Sequence, residues 1–122
     1  DDRNELANAA KRLRPKGTLV VVAPAHQWLF TAFDAAIGHF RRYDKNSLSL
    51  ICPEETKCQC IKYLDSVGMI ASSANKLLLR QCMPSLQQIL FWDRIMVPIS
   101  RGIDPLLRYR LGKSILAVWV AL

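Results

Sequence analysis

The sequence predicts an α/β fold, and three observations support this prediction. The composition, 51% hydrophobic and 22% charged over 122 residues, is typical of one globular domain. Apolar residues recur at helical spacing near the start of the chain. A turn that contains glycine then leads into Thr18 to Ala23, a run that is apolar at almost every position. Because a helix followed by a buried strand is half of an α/β unit, we expect a sheet covered by helices.

Asp2 is expected to cap the first helix, because Asp2 and Glu5 have the spacing of a capping box. Its apolar positions follow at i, i+3, i+4 and i+7, and they are Leu6, Ala9, Ala10 and Leu13. Pro15 and Gly17 end the helix. The strand from Thr18 to Ala23 is rich in valine and is predicted to be buried on both faces, as strands of parallel sheets are.

The remaining elements are predicted in the order short helices, strand, helices and strand. Leu29 to Phe40 predicts a loop with a short helix, and Asp44 has the position of a cap for a second short helix. Lys57 to Leu64 is predicted as a strand. Two helical stretches, broken near Pro84, follow it. The nearly all-apolar segment Ser114 to Leu122 favours a strand because of its valines and its tryptophan.

Charge and cysteine content restrict the partners and the chemistry. The chain carries 17 Lys and Arg against 10 Asp and Glu, a formal net charge of +7, which favours acidic partners, nucleic acid or an anionic membrane surface. Scattered charges and the lack of a recognition motif make nucleic acid the least favoured of these. The four cysteines are expected to be reduced. No metal site is predicted, because there is no C-x-x-C pair and both histidines lie far from the cysteines in sequence.

The apolar segments predict neither a secretory signal nor a membrane span. The chain opens on charged residues, so we expect a cytoplasmic protein. The longest apolar region, residues 67–99, contains four charged positions: Lys76, Arg80, Asp93 and Arg94. For Leu86 to Leu107, a helix that covers the sheet is favoured. Contact with a membrane surface is the alternative, because basic residues lie near this segment.

Two motifs follow the first predicted strand. Residues 24–30 read PAHQWLF, residues 38–43 read GHFRRY, and Asp34 lies between them. This combination resembles a group of bacterial class I S-adenosylmethionine-dependent methyltransferases, in which a P-A-H segment follows strand five and a G-H-x-R-R-Y segment comes shortly after it. The L-x-P-x-G turn at residues 13–17 is similar to the link into strand five. The resemblance departs from the family pattern at residues 52–56 and at Asp65, where asparagine is common.

The resemblance implies an architecture and a cofactor. The fold would be the C-terminal half of a Rossmann-like methyltransferase sheet, strands five to seven with covering helices, and the last strand would run antiparallel between the other two. Residues 1–122 would form a single partial domain that lacks the half binding S-adenosylmethionine. We therefore expect no cofactor-binding residue within this chain and no activity of the chain by itself. The strand edge left open would favour self-association.

The candidate site residues come from the two motifs. Methyl transfer demands alignment more than a fixed catalytic triad, but a hydroxyl acceptor needs a base. His26 and His39 are the candidate bases and Asp34 the residue that orients one of them. The candidates for substrate binding are Arg41, Arg42, Tyr43 and Trp28. The arginines are interpreted as a clamp for an acidic, small-molecule or lipid-linked substrate, and a brace that holds the loop is the alternative. His26 is equally compatible with a structural role.

Two other function classes stay open on the sequence. One is a non-catalytic interaction module derived from a truncated methyltransferase. The other is a basic nucleic-acid binder, which would show a steep salt dependence of binding.

Overall fold

The computed structural model of the chain describes residues 1–79 and 83–122. Helix α1 (Asp2–Ala10) leads into strand β1 (Thr18–Pro24). A 3-10 turn (Gln27–Leu29) and two short helices, α2 (Ala32–Ala36) and α3 (Lys45–Ser49), follow before strand β2 (Thr56–Leu64). The last part of the chain contains α4 (Ser66–Ala74), a π-helical turn (Asn75–Leu79), α5 (Leu86–Phe91), a second π-helical turn (Trp92–Met96), α6 (Val97–Leu106) and β3 (Ser114–Ala121).

The three strands form a mixed α/β fold with one sheet in the order β1-β3-β2. Strand β3 is antiparallel to both neighbours, so β1 and β2 point in the same direction. The three predicted strands are confirmed within one residue at each end. The last strand lies between the other two, as expected.

The core lies on one face of the sheet. Ile115, Ala117 and Trp119 of β3 are fully buried there, together with Leu48 of α3 and Tyr63 of β2. Alternate residues of a strand point to opposite faces, which explains why every second β3 residue belongs to this core. The residues of β1 that pack against it are Leu19, Val21 and Ala23.

The prediction that β1 is buried on both faces is wrong for this chain. Val20 and Val22 point to the face opposite the core and are 55% and 61% exposed. The described residues cover the core face of β1 but leave these two valines on the other face only partly covered. The continuous apolar run is therefore suited to burial on both faces, but the described residues bury only one of them.

The start of α1 also differs from the prediction. The cap is Asp1, whose carboxylate accepts a hydrogen bond from Arg3 N at 3.1 Å, and Asp2 is the first helical residue. The short helix capped by Asp44 is confirmed, with Ser47 N donating to the Asp44 carboxylate at 2.7 Å. Residues 80–82, which lie just before the predicted break near Pro84 and include Cys82, are outside the described part of the chain.

A buried carboxylate joins α6 to the start of α4. Asp104 is 3% exposed and accepts hydrogen bonds from Asp65 N at 2.7 Å, Ser66 N at 3.0 Å and Ser66 Oγ at 2.5 Å. Asp65 has a φ of 64° and caps α4 through Gly68 N at 2.9 Å. Left-handed backbone favours Asn and Asp among non-glycine residues, so aspartate suits the position where the resemblance expects asparagine.

Candidate active site

A cleft of about 620 Å³ opens at the carboxyl end of β1. Its walls come from the end of β1, from the loop between β1 and α3, and from α4, α5 and the second π-helical turn. The polar side chains that line it include Asp34, His39, Arg42 and Lys113, and the apolar ones include Phe33 and Trp92. Open α/β sheets place ligands at the carboxyl ends of their strands, so this cleft is the candidate site.

Asp34 is the centre of the polar network in the cleft. It is 1% exposed and lies on α2, where it accepts hydrogen bonds from Thr31 N at 2.9 Å and from Thr31 Oγ1 at 3.1 Å. The Arg42 guanidinium approaches both carboxylate oxygens, at 2.9 and 3.1 Å. His39 Nδ1 lies 3.3 Å from Asp34 Oδ1. A buried carboxylate with this many partners is held in one orientation.

These contacts determine the charge of Asp34. Burial by itself raises the pKa of its carboxyl group, but the hydrogen bonds from Arg42 and Thr31 and the positive charge of Arg42 more than offset this. The pKa of Asp34 therefore lies below its ordinary value, and the group is a carboxylate at neutral pH. The carboxylate can orient an imidazole and stabilise it when it becomes protonated.

His39 reaches Asp34 because the chain reverses at Gly38. Gly38 has a φ of 84°, in the region that glycine adopts without strain, and His39 N then donates to the Asp34 carbonyl oxygen at 2.8 Å. With Nδ1 next to the Asp34 carboxylate, Nε2 is the nitrogen that can exchange a proton with a ligand. The His39 side chain is 40% exposed and lines the cleft.

His26 occupies a different environment. Its ring stacks on Tyr63 at a centroid distance of 4.6 Å, its Nε2 is buried without a hydrogen-bond partner among the described residues, and it is absent from the cleft lining. Burial lowers the pKa of His26, and the Gly112 backbone and the Asp44 charge oppose this only in part. The structure thus brings Asp34 together with His39 and keeps His26 apart from both.

Arg41 and Arg42 of the second motif also lie in different environments. Arg42 donates to the Ala25 carbonyl oxygen at 3.1 Å in addition to Asp34, and its side chain is 11% exposed. These contacts are the ones expected if Arg42 braces the loop, which is the alternative to a clamp for an acidic substrate. Arg41 is 62% exposed and lies 3.5 Å from the Asp2 carboxylate on α1, away from the Asp34 network.

Tyr43 links the second motif to the end of β1. Its backbone forms a short parallel bridge, with Tyr43 N donating to the Pro24 carbonyl oxygen at 2.8 Å and His26 N donating to the Tyr43 carbonyl oxygen at 2.9 Å. Its hydroxyl donates to the Asp2 carboxylate. Burial and Asp2 raise the pKa of Tyr43 to about 12. The two motifs therefore contact each other directly.

Trp28 is half-exposed, and its backbone carbonyl oxygen accepts a hydrogen bond from Lys76 Nζ on the first π-helical turn. Its ring lies 5.9 Å from His26 and is not part of the cleft lining. The contact joins the first motif to the helical part of the chain.

Sequence reasoning missed Lys113 and Trp92. Lys113 Nζ lies 4.9 Å from the centre of the Trp92 ring and 3.4 Å from the Asp65 carboxylate. The side chains of Lys113 and Trp92 both line the cleft. A lone lysine before an apolar strand gives no pattern that marks it. Only the pairing of β3 with β1 places it beside the Asp34 network.

Comparisons with protein-family models, curated proteins and solved structures gave no match. Within residues 1–79 and 83–122, no three His, Cys, Asp or Glu side chains are grouped so that they could hold a metal ion. Among the helices in the described part of the chain, none has both the length and the apolar character needed to cross a bilayer.

Proposed function

We propose that this chain forms the substrate-side half of an S-adenosylmethionine-dependent methyltransferase domain. The observation that carries the proposal is the open outer edge of β1, which lies next to the cleft that contains Asp34 and His39. The strand order supports it, because the resemblance implies that the last strand lies antiparallel between the other two.

The direction of the backbone groups of β1 follows from its pairing. Ala25 N donates to the Lys113 carbonyl oxygen and Ala121 N donates to the Gly17 carbonyl oxygen, so odd-numbered residues of β1 bond to β3. Even-numbered residues therefore point to the outer edge, in agreement with the bond from Tyr43 N to the Pro24 carbonyl oxygen. Thr18, Val20 and Val22 direct their backbone N–H and C=O groups to that edge, where no strand among the described residues lies to bond with those groups.

An open edge beside exposed valines is what a strand of a larger sheet presents when its neighbour is supplied separately. In the proposal this neighbour belongs to the half of the domain that binds the cofactor. The same half would cover Val20 and Val22.

The residues of this chain do not fit a cofactor site by themselves. A dinucleotide-like cofactor needs a glycine-rich turn after a strand, whereas the five glycines here lie singly at positions 17, 38, 68, 102 and 112. Strand β1 is followed by Ala25 and His26. S-adenosylmethionine supplies an electrophilic methyl group when it is bound. This chain contributes the other side of the cleft.

His39 is the proposed general base. Its Nε2 would accept the proton of an acceptor hydroxyl, and the Asp34 carboxylate would fix the tautomer and stabilise the imidazolium that results. Arg42 keeps Asp34 ionised and immobile, so it is a positioning residue. Proton removal of this kind contributes roughly 10²- to 10⁴-fold to a rate.

The proposed acceptor is an acidic small molecule or a lipid-linked compound. Arg42 and Lys113 place positive charge on the cleft wall, although each already contacts a carboxylate. Trp92, Phe33 and Met96 add apolar side chains to the lining of the cleft. We place the protein in the cytoplasm as part of the same proposal.

The experiment is a calorimetric titration with S-adenosylhomocysteine. It compares this chain with a longer chain that includes the residues encoded immediately upstream. Binding by the longer chain alone is the expected result. Tight binding by the 122-residue chain would contradict the placement of the cofactor, and binding by neither would favour the non-catalytic interaction module.

A further inference from the structure

The helical segment Leu86–Leu106 turns apolar side chains outward. Four of them form what we call the outer face: Phe91, which also borders the cleft, Ile95, Ile99 and Leu106, with exposed fractions from 46% to 81%. Phe91, Ile95, Ile99 and Leu106 follow each other at spacings of four, four and seven residues. Such spacings place side chains along one side of a helix.

The side of this segment that faces the protein is more polar than the outer face. The buried positions of its second half are Met96, Ser100 and Asp104. Ser100 Oγ donates to the Asp65 carboxylate at 2.7 Å, and Asp104 accepts the three hydrogen bonds described above. The segment is thus anchored by polar contacts and exposes apolar surface, the reverse of an ordinary surface helix.

Exposed arginines lie within this helical segment and just after it. Arg94, Arg101, Arg108 and Arg110 are all exposed, and none has an ion-pair partner among the described residues. Two acidic residues lie between positions 83 and 113: Asp93 is exposed and Asp104 is buried. Positive charge around the outer face is therefore nearly unopposed.

A shallow depression of about 450 Å³ adjoins the end of α6. Three leucines line it, Leu106, Leu107 and Leu111, together with Arg108 and Arg110. Apolar and cationic groups are adjacent there, as they are at a phospholipid surface between acyl chains and phosphates.

We propose that the outer face binds the surface of a membrane that contains anionic phospholipids. The apolar side chains enter the boundary between headgroups and acyl chains, and the arginines extend their charged ends to the phosphates. Four unpaired arginines beside an apolar face complement anionic lipid, which argues against a second copy of this basic chain as the occupant. The proposal stands independently of methyl transfer.

The test is flotation of the full chain with vesicles, either of phosphatidylcholine alone or of phosphatidylcholine with one third phosphatidylserine. We expect binding to the anionic vesicles and a loss of that binding at high salt. Arg94→Gln with Arg101→Gln should weaken it about 30-fold, since each basic residue near an anionic surface contributes about a factor of five. Arg12→Gln with Arg14→Gln, the same charge change beyond α1, is the matched control and should change it much less.

The contribution of the apolar side chains to membrane binding is tested with a second pair of double variants. Ile95→Ser with Ile99→Ser should abolish flotation, whereas Phe40→Ser with Leu50→Ser, which are even more exposed but lie elsewhere, should leave it intact. Circular dichroism of each variant shows whether the fold is retained. The proposal is overturned if the folded chain does not float, if it floats equally well with neutral vesicles, or if both pairs act alike. Self-association that depends on Ile95 and Ile99 would assign the face to a second copy and would also overturn it.

Discussion

The open edge of β1 makes a sharp prediction for two neighbouring proline substitutions. Val20→Pro removes an N–H that points outward, and proline is tolerated at such edge positions. Val21→Pro removes the N–H directed at β3, where Val21 pairs with the fully buried Ala117. The two changes are one residue apart and chemically identical, so a difference between them reports the direction of the backbone groups.

The expected magnitudes follow from the pairing. An unsatisfied buried carbonyl costs about 1–3 kcal/mol, and the proline ring also clashes with the partner strand. Val21→Pro should therefore lower the free energy of unfolding by about 3 kcal/mol, while Val20→Pro should change it by less than about 1 kcal/mol. For self-association through the same edge, Val20→Pro removes one hydrogen bond of about 1 kcal/mol and adds a steric obstacle, which together weaken association about tenfold.

Two measurements check these values. Urea unfolding followed by circular dichroism gives the free energy of unfolding, and sedimentation velocity over a range of concentrations gives the association constant. Equal destabilisation by the two prolines would refute the assigned direction of the backbone groups. Unchanged self-association in a folded Val20→Pro chain would show that the edge of β1 is not the surface through which copies associate.

Three further predictions concern single residues. Gly112→Ala places a Cβ 2.0 Å from a β2 backbone oxygen, so it should cost about 1–3 kcal/mol in urea unfolding, whereas Gly102→Ala, with nothing within 4 Å, should be neutral or stabilising. Asp34→Asn should lower the free energy of unfolding by about 3 kcal/mol at neutral pH, because Arg42 loses its counter-ion. Since the pKa of Asp34 is lowered, the difference between the variant and the original chain should shrink as the pH falls through that pKa. A difference that stays constant with pH would contradict the ion pair. The pKa of Tyr43 is raised to about 12, so its contribution to stability is present below pH 10 and lost as the pH rises through 12. Tyr43→Phe should remove a phase near pH 12 from the phenolate absorbance titration.

The strands could be predicted because their signals are local. Thr18 to Ala23, Lys57 to Leu64 and Ser114 to Leu122 carry β-branched and aromatic residues between turn residues, and pairing only adjusted their ends. The exposure of Val20 and Val22 could not be predicted. A run of valines indicates that both faces of a strand are suited to burial, but it does not indicate which atoms cover them.

Of the residues that the motifs offered, Asp34, His39 and Arg42 line the cleft, and which of the candidates contact each other could not be predicted. From the sequence, His26 and His39 are equally possible partners for Asp34, and Arg41 cannot be distinguished from Arg42. The choice depends on the reversal at Gly38 and on the bridge between Tyr43 and the end of β1. Both are three-dimensional consequences of a few backbone angles.

The first helix illustrates a smaller limit. Two consecutive aspartates offer two caps, and the spacing to Glu5 favours Asp2. Asp1 is chosen because its carboxylate also accepts a hydrogen bond from Asn4 Nδ2 at 3.2 Å, which the spacing of a capping box does not include. Ambiguity of one residue at a helix start is common.

The central claim is that β1 is completed by the cofactor-binding half of a methyltransferase domain. The most direct measurement is the affinity for S-adenosylhomocysteine of the upstream-extended chain, with and without Val20→Pro, beside a Val20→Thr control that keeps the N–H. The proposal predicts binding by the extended chain and its control, and at least a tenfold loss with proline. Unchanged affinity in the proline variant, or binding by the 122-residue chain alone, would contradict it.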